Sequence, residues 1–305
     1  MPNWKEVLQE IQEAHKKDPA TNPLDTVRRK YLASIEKHTG RNVIAYYSGW
    51  LQRPGYPDTS INDKDKNAFM VNIHKMDRDK GLDLILHTPG GDLAATESIV
   101  DYLKAMFGNN IRAIIPQISM SAGTMIALSC REIMLGKQSN LGPIDPQMGG
   151  IACQAVLDEF KQALSDVKAN PSSASLWQVI IGKYHPTFLT ACKQAIDWSK
   201  KMVKEWLTSN MLKGKSGVII NKVLKEFGDH SRNKSHARHI SKQKCKTVGL
   251  KIIDMETDDT LQDLILTVHH AFMHTFASTN SIKIVENQFG VAYMENLPVP
   301  VNAGQ

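Results

Sequence analysis

The chain has 305 residues, 42% of them hydrophobic, and a formal net charge of +6. That length allows one large domain or two ordinary ones, and the hydrophobic content is sufficient for a sizeable core. No stretch approaches the ~20 apolar residues of a membrane span, and no signal peptide is recognisable, which argues against membrane-spanning and secreted proteins. The four cysteines form no C-x-x-C pair, which is typical of a reducing compartment. We therefore expect a soluble cytoplasmic protein.

The first third of the chain begins with helical patterns. Apolar residues at helical spacing, beginning at Trp4, predict an amphipathic helix, and a second helix is expected to end near Lys37. Residues 42–50 are expected to form a strand. The Pro- and Gly-rich residues 51–64 form a long loop, which is either a lid over a site or an ordinary surface excursion. A helix is then predicted over residues 68–78.

The middle and last thirds differ in character. From residue 84 to residue 135, short apolar runs alternate with helical patterns, which predicts βα units and a mostly parallel sheet. Residues 155–229 are expected to be mainly helical. A further helix is predicted over residues 261–276, with late strands over 281–287 and 291–294.

These patterns divide the chain into three parts. We expect an N-terminal helical extension (1–40), an α/β domain (41–255) that contains the helical insertion, and a C-terminal helix with strands (256–305). Residues 232–251 are rich in Lys, Arg and His, and a solvated surface segment is expected there. Because no aromatic residue interleaves that run, a nucleic-acid partner is not favoured.

A glycine pair follows the first strand of the βα series, in the motif TPGGD. Gly90 and Gly91 allow another backbone or a substrate carbonyl to approach closely. The functional interpretation is an oxyanion hole, and the alternative is a tight turn in which Asp92 caps the next helix. Phosphate binding is disfavoured, because the motif has neither a P-loop lysine nor the G-x-G-x-x-G pattern.

A serine follows the next strand, in the motif MSAGT. The small residues Ala122 and Gly123 permit a sharp bend that exposes the Ser121 hydroxyl, with the Ala122 N–H facing the same space. This is the arrangement of a nucleophile elbow without its G-x-S-x-G pattern. The alternative is that Ser121 caps the helix that follows. Ser119 is a competing hydroxyl, although it should point to the other face of the strand.

The third motif, NLGPIDPQ, contains Asp145 in a rigid loop after the next strand. Its carboxylate could orient a histidine, or it could belong to an ordinary turn. All three motifs lie at the carboxyl ends of consecutive strands, where α/β folds place their sites. A nucleophile beside preorganised N–H donors is what acyl transfer requires.

Taken in order, TPGGD, SMSAGTMIALS and NLGPIDPQ resemble the serine dehydrogenase proteinase family of the ClpP/crotonase-like superfamily, which is related to signal peptide peptidase A. The resemblance is clear over roughly residues 40–150 and weaker to about residue 255. It implies a ClpP/crotonase-like core of repeated strand-helix units with extra helices. It also implies a serine peptidase that needs no cofactor and no metal.

The resemblance assigns roles to individual residues. It implies Ser121 as the nucleophile and Asp145 as the acid of a Ser-Asp-His triad. It implies the N–H groups of Gly91 and Ala122 as the oxyanion hole, with Gly90 as a further candidate.

The histidine of this triad is implied by the segment SHARHI, which precedes a Gly-Leu dipeptide as in the family and aligns His236 with the family histidine. The Asp and Pro that follow that histidine in the family pattern are absent here. Three other histidines are rivals for the role of base: His185, His230 and His239.

His270 and His274 have metal-ligand spacing on a helix, but surface or interface positions are expected for them.

The related signal peptide peptidases use a Ser-Lys dyad, in which burial lowers the lysine pKa. Candidate lysines for such a dyad are Lys137, Lys161 and Lys183. Two further alternatives are a crotonase-type acyl-CoA enzyme, which would not need Ser121, and a non-catalytic scaffold.

The favoured hypothesis is a serine endopeptidase that acts on a peptide or protein substrate. Because relatives form closed oligomers, a homo-oligomer is expected, with the helix Trp4–Ile11 as a candidate contact.

Overall fold

The computed structural model describes residues 3–298, which fold into helices on both faces of a large sheet. The strands are β1 (Asn42–Ser48), β2 (Leu82–His87), β3 (Ile111–Ile115), β4 (Ile118–Ser119), β5 (Glu132–Leu135), β6 (Asn140–Leu141), β7 (Gln147–Met148), β8 (Ile151–Ala152), β9 (Ile240–Ser241), β10 (Ile252–Asp254), β11 (Ser281–Asn287) and β12 (Ala292–Asn296). The α-helices are α1 (Trp4–Lys17), α2 (Pro23–Thr39), α3 (Lys64–Ile73), α4 (Leu93–Phe107), α5 (Ala122–Ser129), α6 (Cys153–Ala169), α7 (Ala174–Ile181), α8 (Phe188–Ser209), α9 (Gly217–Gly228), α10 (His230–Asn233), α11 (Lys242–Val248) and α12 (Asp259–Ser278).

The main sheet has seven strands in the order β10-β5-β3-β2-β1-β11-β12. The run from β10 to β1 is parallel, while β11 is antiparallel to β1 and β12 is antiparallel to β11. The α/β class with a mostly parallel sheet is therefore confirmed. The two late strands belong to this same sheet and lie at its edge.

Strand β1 shows why the sheet is buried on both faces. All of its residues are buried, because helices cover each side. Ile44 and Tyr46 contact the core formed with α3, α4 and α5. Val43, Ala45 and Tyr47 point to the other face and contact the core formed with α2 and α12.

The remaining helices extend these two layers. Val7 and Ile11 of α1 pack against Val27 of α2 and Ala271 of α12. The predicted helical region 155–229 consists mainly of α6 to α9, and α6 packs on α8 through buried cysteine and aliphatic side chains. Within the part of the chain that the structure describes, no helix is long and apolar enough to span a bilayer.

Candidate active site

Ser121 lies at a sharp bend between β4 and α5. Its backbone has φ 50° and ψ −119°, a region that side-chain-bearing residues rarely occupy and that costs on the order of 1–3 kcal/mol. The bend is held by hydrogen bonds on both sides: the Met120 N–H donates to Thr88 O (3.0 Å) and the Gly123 N–H donates to Met120 O (2.8 Å). Such strain is characteristic of a nucleophile elbow.

The Ser121 hydroxyl makes no capping hydrogen bond to the helix that follows it. Ser121 occupies the N-cap position of α5, but its side chain accepts no capping hydrogen bond. Ser121 therefore takes the N-cap position of the alternative interpretation, but its side chain does not cap the helix. Ser119, the competing hydroxyl, is completely buried, whereas Ser121 is partly exposed and lines a cavity.

Gly90 and Gly91 lie directly beside this bend. A Cβ atom on Gly90 would lie 2.6 Å from Ser121 Cβ, so only glycine permits this approach. The Gly90 N–H donates to Thr88 Oγ1 (3.2 Å), which occupies that donor within the loop itself. Asp92 also caps α4, with its side chain accepting from the Ala95 N–H (2.8 Å), so the predicted turn and cap are present.

Two backbone donors beside Ser121 are free. Among residues 3–298, the N–H groups of Gly91 and Ala122 have no hydrogen-bond partner. Ala122 is the first residue of α5, so its N–H also carries the positive end of the helix dipole. Gly91 and Ala122 both line the cavity that Ser121 faces. This pair of donors has the composition of an oxyanion hole.

Asp145 lies in the loop after β6 and is 2% exposed. The preceding residue, Ile144, anchors the loop: its N–H donates to Phe227 O (2.8 Å), and its carbonyl accepts from Ser199 Oγ (3.2 Å). The amide of Gln147 donates to Asp145 Oδ2 (3.1 Å). The loop is therefore anchored to α8 and α9, and the carboxylate accepts a hydrogen bond from within its own loop.

Asp145 binds two histidines at once. Its Oδ1 lies 2.8 Å from His236 Nδ1, and its Oδ2 lies 2.9 Å from His230 Nδ1. His236 lines the same cavity as Ser121, whereas His230 lines only a neighbouring one. Within the described residues no hydrogen bond joins Ser121 to His236, an arrangement common in free enzymes, where these contacts tighten when substrate binds.

The cavity itself has a volume of about 610 Å³. Its lining includes residues 89–92, Ser121 and Ala122. Most of the other lining residues come from helices α5 and α8 and the loop around Asp145, and their apolar side chains include Met125, Ile144, Ala191, Ala195 and Trp198. A mostly apolar cavity with a few polar groups suits a peptide that places an apolar side chain inside.

The rival bases lie elsewhere. Lys137, Lys161 and Lys183 are exposed and do not line the cavity. His185 and His239 are also exposed, and neither lines the cavity with Ser121.

His270 and His274 pack against Trp4 of α1. The Trp4 ring centroid lies 5.8 Å from that of His270 and 3.8 Å from that of His274. His274 is 5% exposed, and its Nε2 lies 3.1 Å from the Trp4 carbonyl oxygen. These two histidines therefore join α12 to the N-terminal helix.

Sequence reasoning missed two parts of this site. The first is the contact of His230 with Asp145, because the sequence indicates His230 only as a rival base. The second is the segment 60–62, whose Ile61 is hydrogen-bonded on both sides of Gly91. The signal for the second was the long Pro- and Gly-rich loop 51–64, which contains this segment.

Comparisons with known proteins identify the family of the chain. Residues 20–258 match the family of ClpP-like SDH-type serine proteinases, and the chain belongs to this family. An uncharacterized protein of Methanocaldococcus jannaschii, MJ0137, is 30% identical over 234 residues, which are 75% of this chain and 74% of that relative. A second uncharacterized protein of the same organism, MJ1495, is 33% identical over 138 residues, which are 44% of this chain and 46% of that relative. The resemblance drawn from the three motifs is thus confirmed, and the fold is consistent with a ClpP-like core.

Proposed function

We propose that this chain is a serine endopeptidase that forms an acyl-enzyme on Ser121, with His236 as general base and Asp145 as its partner. One observation carries the proposal. His236, which shares a cavity with the strained and uncapped Ser121, is held through Nδ1 by a buried carboxylate 2.8 Å away. Family membership supports a peptidase at the level of the family.

The geometry supports a specific sequence of proton transfers. The Asp145 contact favours the proton on Nδ1 of His236, which leaves Nε2 as the acceptor for the Ser121 proton. Ser121 Oγ then attacks the peptide carbonyl, and the negative charge develops near the N–H groups of Gly91 and Ala122. His236 returns the proton to the leaving amine. A water molecule repeats the attack on the acyl-enzyme and releases the second product.

The cavity favours one class of substrate. Its apolar lining, which includes Met125 and Trp198, would accept an apolar side chain next to the bond that is cleaved. The Ser-Lys alternative receives less support, because all three candidate lysines are exposed and outside the cavity. The crotonase alternative also receives less support, because it does not explain why Asp145 contacts a histidine in the cavity.

Fluorogenic peptides with an apolar residue before the cleaved bond test this proposal. We expect the wild-type protein to hydrolyse them and the Ser121→Ala variant to be inactive at equal protein concentration. Hydrolysis that survives in Ser121→Ala would contradict the proposal. Acyl-CoA thioester turnover that survives in the same variant would favour the crotonase-type enzyme.

A homo-oligomer is also proposed. In α1, Val7 and Ile11 are buried within the chain, which leaves Trp4 (46% exposed) and Leu8 (37% exposed) for a second copy. Light scattering on the wild type and on the Leu8→Glu variant tests this contact. A smaller particle for Leu8→Glu is expected, and an unchanged mass would exclude α1 as the contact.

A further inference from the structure

The sheet contains a buried ion pair that the catalytic steps do not use. Lys283 of β11 and Asp65 in the first turn of α3 are both 0% exposed. The Lys283 Nζ lies 2.9 Å from Asp65 Oδ1 and donates to Oδ2 at 3.1 Å. Lys and Asp are almost never fully buried unless they are paired, and replacing such a pair by apolar residues is often neutral for stability. Stability is therefore a weak reason for its presence.

Both members of the ion pair form hydrogen bonds to one short backbone segment, residues 60–62. The Lys283 Nζ donates a further hydrogen bond to Ser60 O (2.9 Å). The Asp65 Oδ2 accepts from the Asn62 N–H (2.9 Å) and from the Tyr46 hydroxyl (2.9 Å). The residue between these anchors, Ile61, is thus fixed on both sides.

Ile61 in turn holds the oxyanion loop, which we define as residues 88–92. The Ile61 N–H donates to Gly90 O (2.7 Å), and the Ile61 carbonyl accepts from the Asp92 N–H (2.9 Å). These two bonds form a parallel bridge with Gly91, whose own N–H therefore points away from Ile61. The two backbones are too close for any side chain at position 91, since a Cβ atom on Gly91 would lie 2.3 Å from the Ile61 backbone.

We propose that Lys283 and Asp65 are positioning residues for this reaction, which set the direction of the Gly91 N–H through residues 60–62. The inference rests on the proposed peptidase function. Lys283 lies in β11, outside residues 20–258, the range that matches the family, so this role would connect a late strand of the chain to the site. The long loop predicted over residues 51–64 contains the segment 60–62 through which they act.

The test compares Lys283→Met with Glu286→Gln. Glu286 is on the same strand and is fully buried in an ion pair with Arg28, but it does not contact residues 60–62. Losing an oxyanion donor lowers kcat about 10²- to 10³-fold, so we expect Lys283→Met to lose at least tenfold in kcat with KM nearly unchanged. The Glu286→Gln variant should retain its kcat at a temperature where circular dichroism shows both variants folded. Equal kcat values for Lys283→Met and wild type, or equal losses in both variants, would overturn the proposal.

A milder pair of variants applies if Lys283→Met does not fold. Tyr46→Phe removes only the hydroxyl that donates to Asp65, and Tyr47→Phe removes the hydroxyl of the next residue, which faces the other side of the sheet near His269. We expect a several-fold lower kcat for Tyr46→Phe alone, and equal kcat values for the two variants would overturn the proposal.

Labelling of Ser121 by a fluorophosphonate distinguishes failure of the proposed peptidase function from failure of the positioning role. An unlabelled wild type means that the proposed function fails, whereas equal labelling rates for wild type and Lys283→Met mean that only the positioning role fails.

Discussion

Asp145 holds His236 through a 2.8 Å contact between Oδ1 and Nδ1, and it does so from a position that is 2% exposed. The other carboxylate oxygen holds His230 at 2.9 Å. The two histidines therefore lie at almost the same distance from the carboxylate, and only their positions relative to Ser121 distinguish them. His236 lines the cavity of Ser121, and His230 does not.

This asymmetry predicts different effects for two matched variants. His236→Ala should lower kcat by about 10²- to 10⁴-fold, because it removes the general base. His230→Ala removes the same kind of side chain from the same carboxylate and should lower kcat less than tenfold. Steady-state peptide hydrolysis measures both. A fully active His236→Ala enzyme, or a His230→Ala enzyme that loses more activity, would rule out the proposed triad.

Gly91 should tolerate no side chain. A Cβ atom there would meet the Ile61 backbone at 2.3 Å, so Gly91→Ala must displace the oxyanion loop or the segment that holds it. Overpacking of this kind typically costs 1–3 kcal/mol in the free energy of unfolding. We expect Gly91→Ala to lose both stability and activity in thermal denaturation and hydrolysis assays.

Gly217, the first residue of α9, provides the control, because a Cβ atom there meets nothing within 4 Å. Gly217→Ala should be as stable as the wild type or more stable by up to about 1 kcal/mol. A Gly91→Ala protein that matches it in stability would mean that the close approach to Ile61 is not as tight as the structure has it.

Two buried histidines should make stability depend on pH. Burial lowers the pKa of His269 to about 3, and burial together with the neighbouring His269 lowers the pKa of His87. Both are therefore neutral when folded but protonate near pH 6.5 when unfolded, so the unfolded state binds more protons below that pH. The free energy of unfolding should fall as the pH drops from 6.5 towards 5, with a slope that approaches about 1.4 kcal/mol per pH unit for His269 near pH 5 and a contribution of the same sign from His87.

Urea denaturation at several pH values between 5 and 7 measures this slope. Glutamine at position 269 cannot be protonated, so the slope of the His269→Gln variant should be smaller than that of the wild type, by up to about 1.4 kcal/mol per pH unit near pH 5. Identical slopes for the two proteins would show that His269 is protonated in the folded state.

Much of the fold follows from local patterns. The strand predicted over residues 281–287 is β11 with the same bounds, because β-branched residues at its centre lie between polar residues at both ends. The helix predicted over residues 68–78 instead spans Lys64–Ile73. It begins earlier because the Asn62 side chain accepts from the Lys64 N–H (3.0 Å), and it ends earlier because Lys75 adopts a positive φ of 65°.

The parts of the site that sequence could not give depend on contacts between distant residues. Ser121 and Gly91 are marked by small residues at strand ends, where local geometry alone suggests a site. No local pattern pairs Asp145 with a histidine, since His236 and His230 lie 91 and 85 residues away and both are reached through tertiary packing. Only the family resemblance indicates His236, and nothing in the sequence indicates that His230 shares the same carboxylate. The Lys283–Asp65 pair spans 218 residues and leaves no local signal.

The measurement that tests the central claim most directly is the site of covalent labelling by a fluorophosphonate. The wild-type protein is incubated with the probe, digested and analysed by mass spectrometry, beside Ser121→Ala and a protein unfolded in urea. We predict one modified residue, Ser121, in the folded wild type only, because its hydroxyl is uncapped and lies in the cavity with His236. Labelling that persists in Ser121→Ala, or a folded wild type that does not react, would contradict a nucleophilic Ser121.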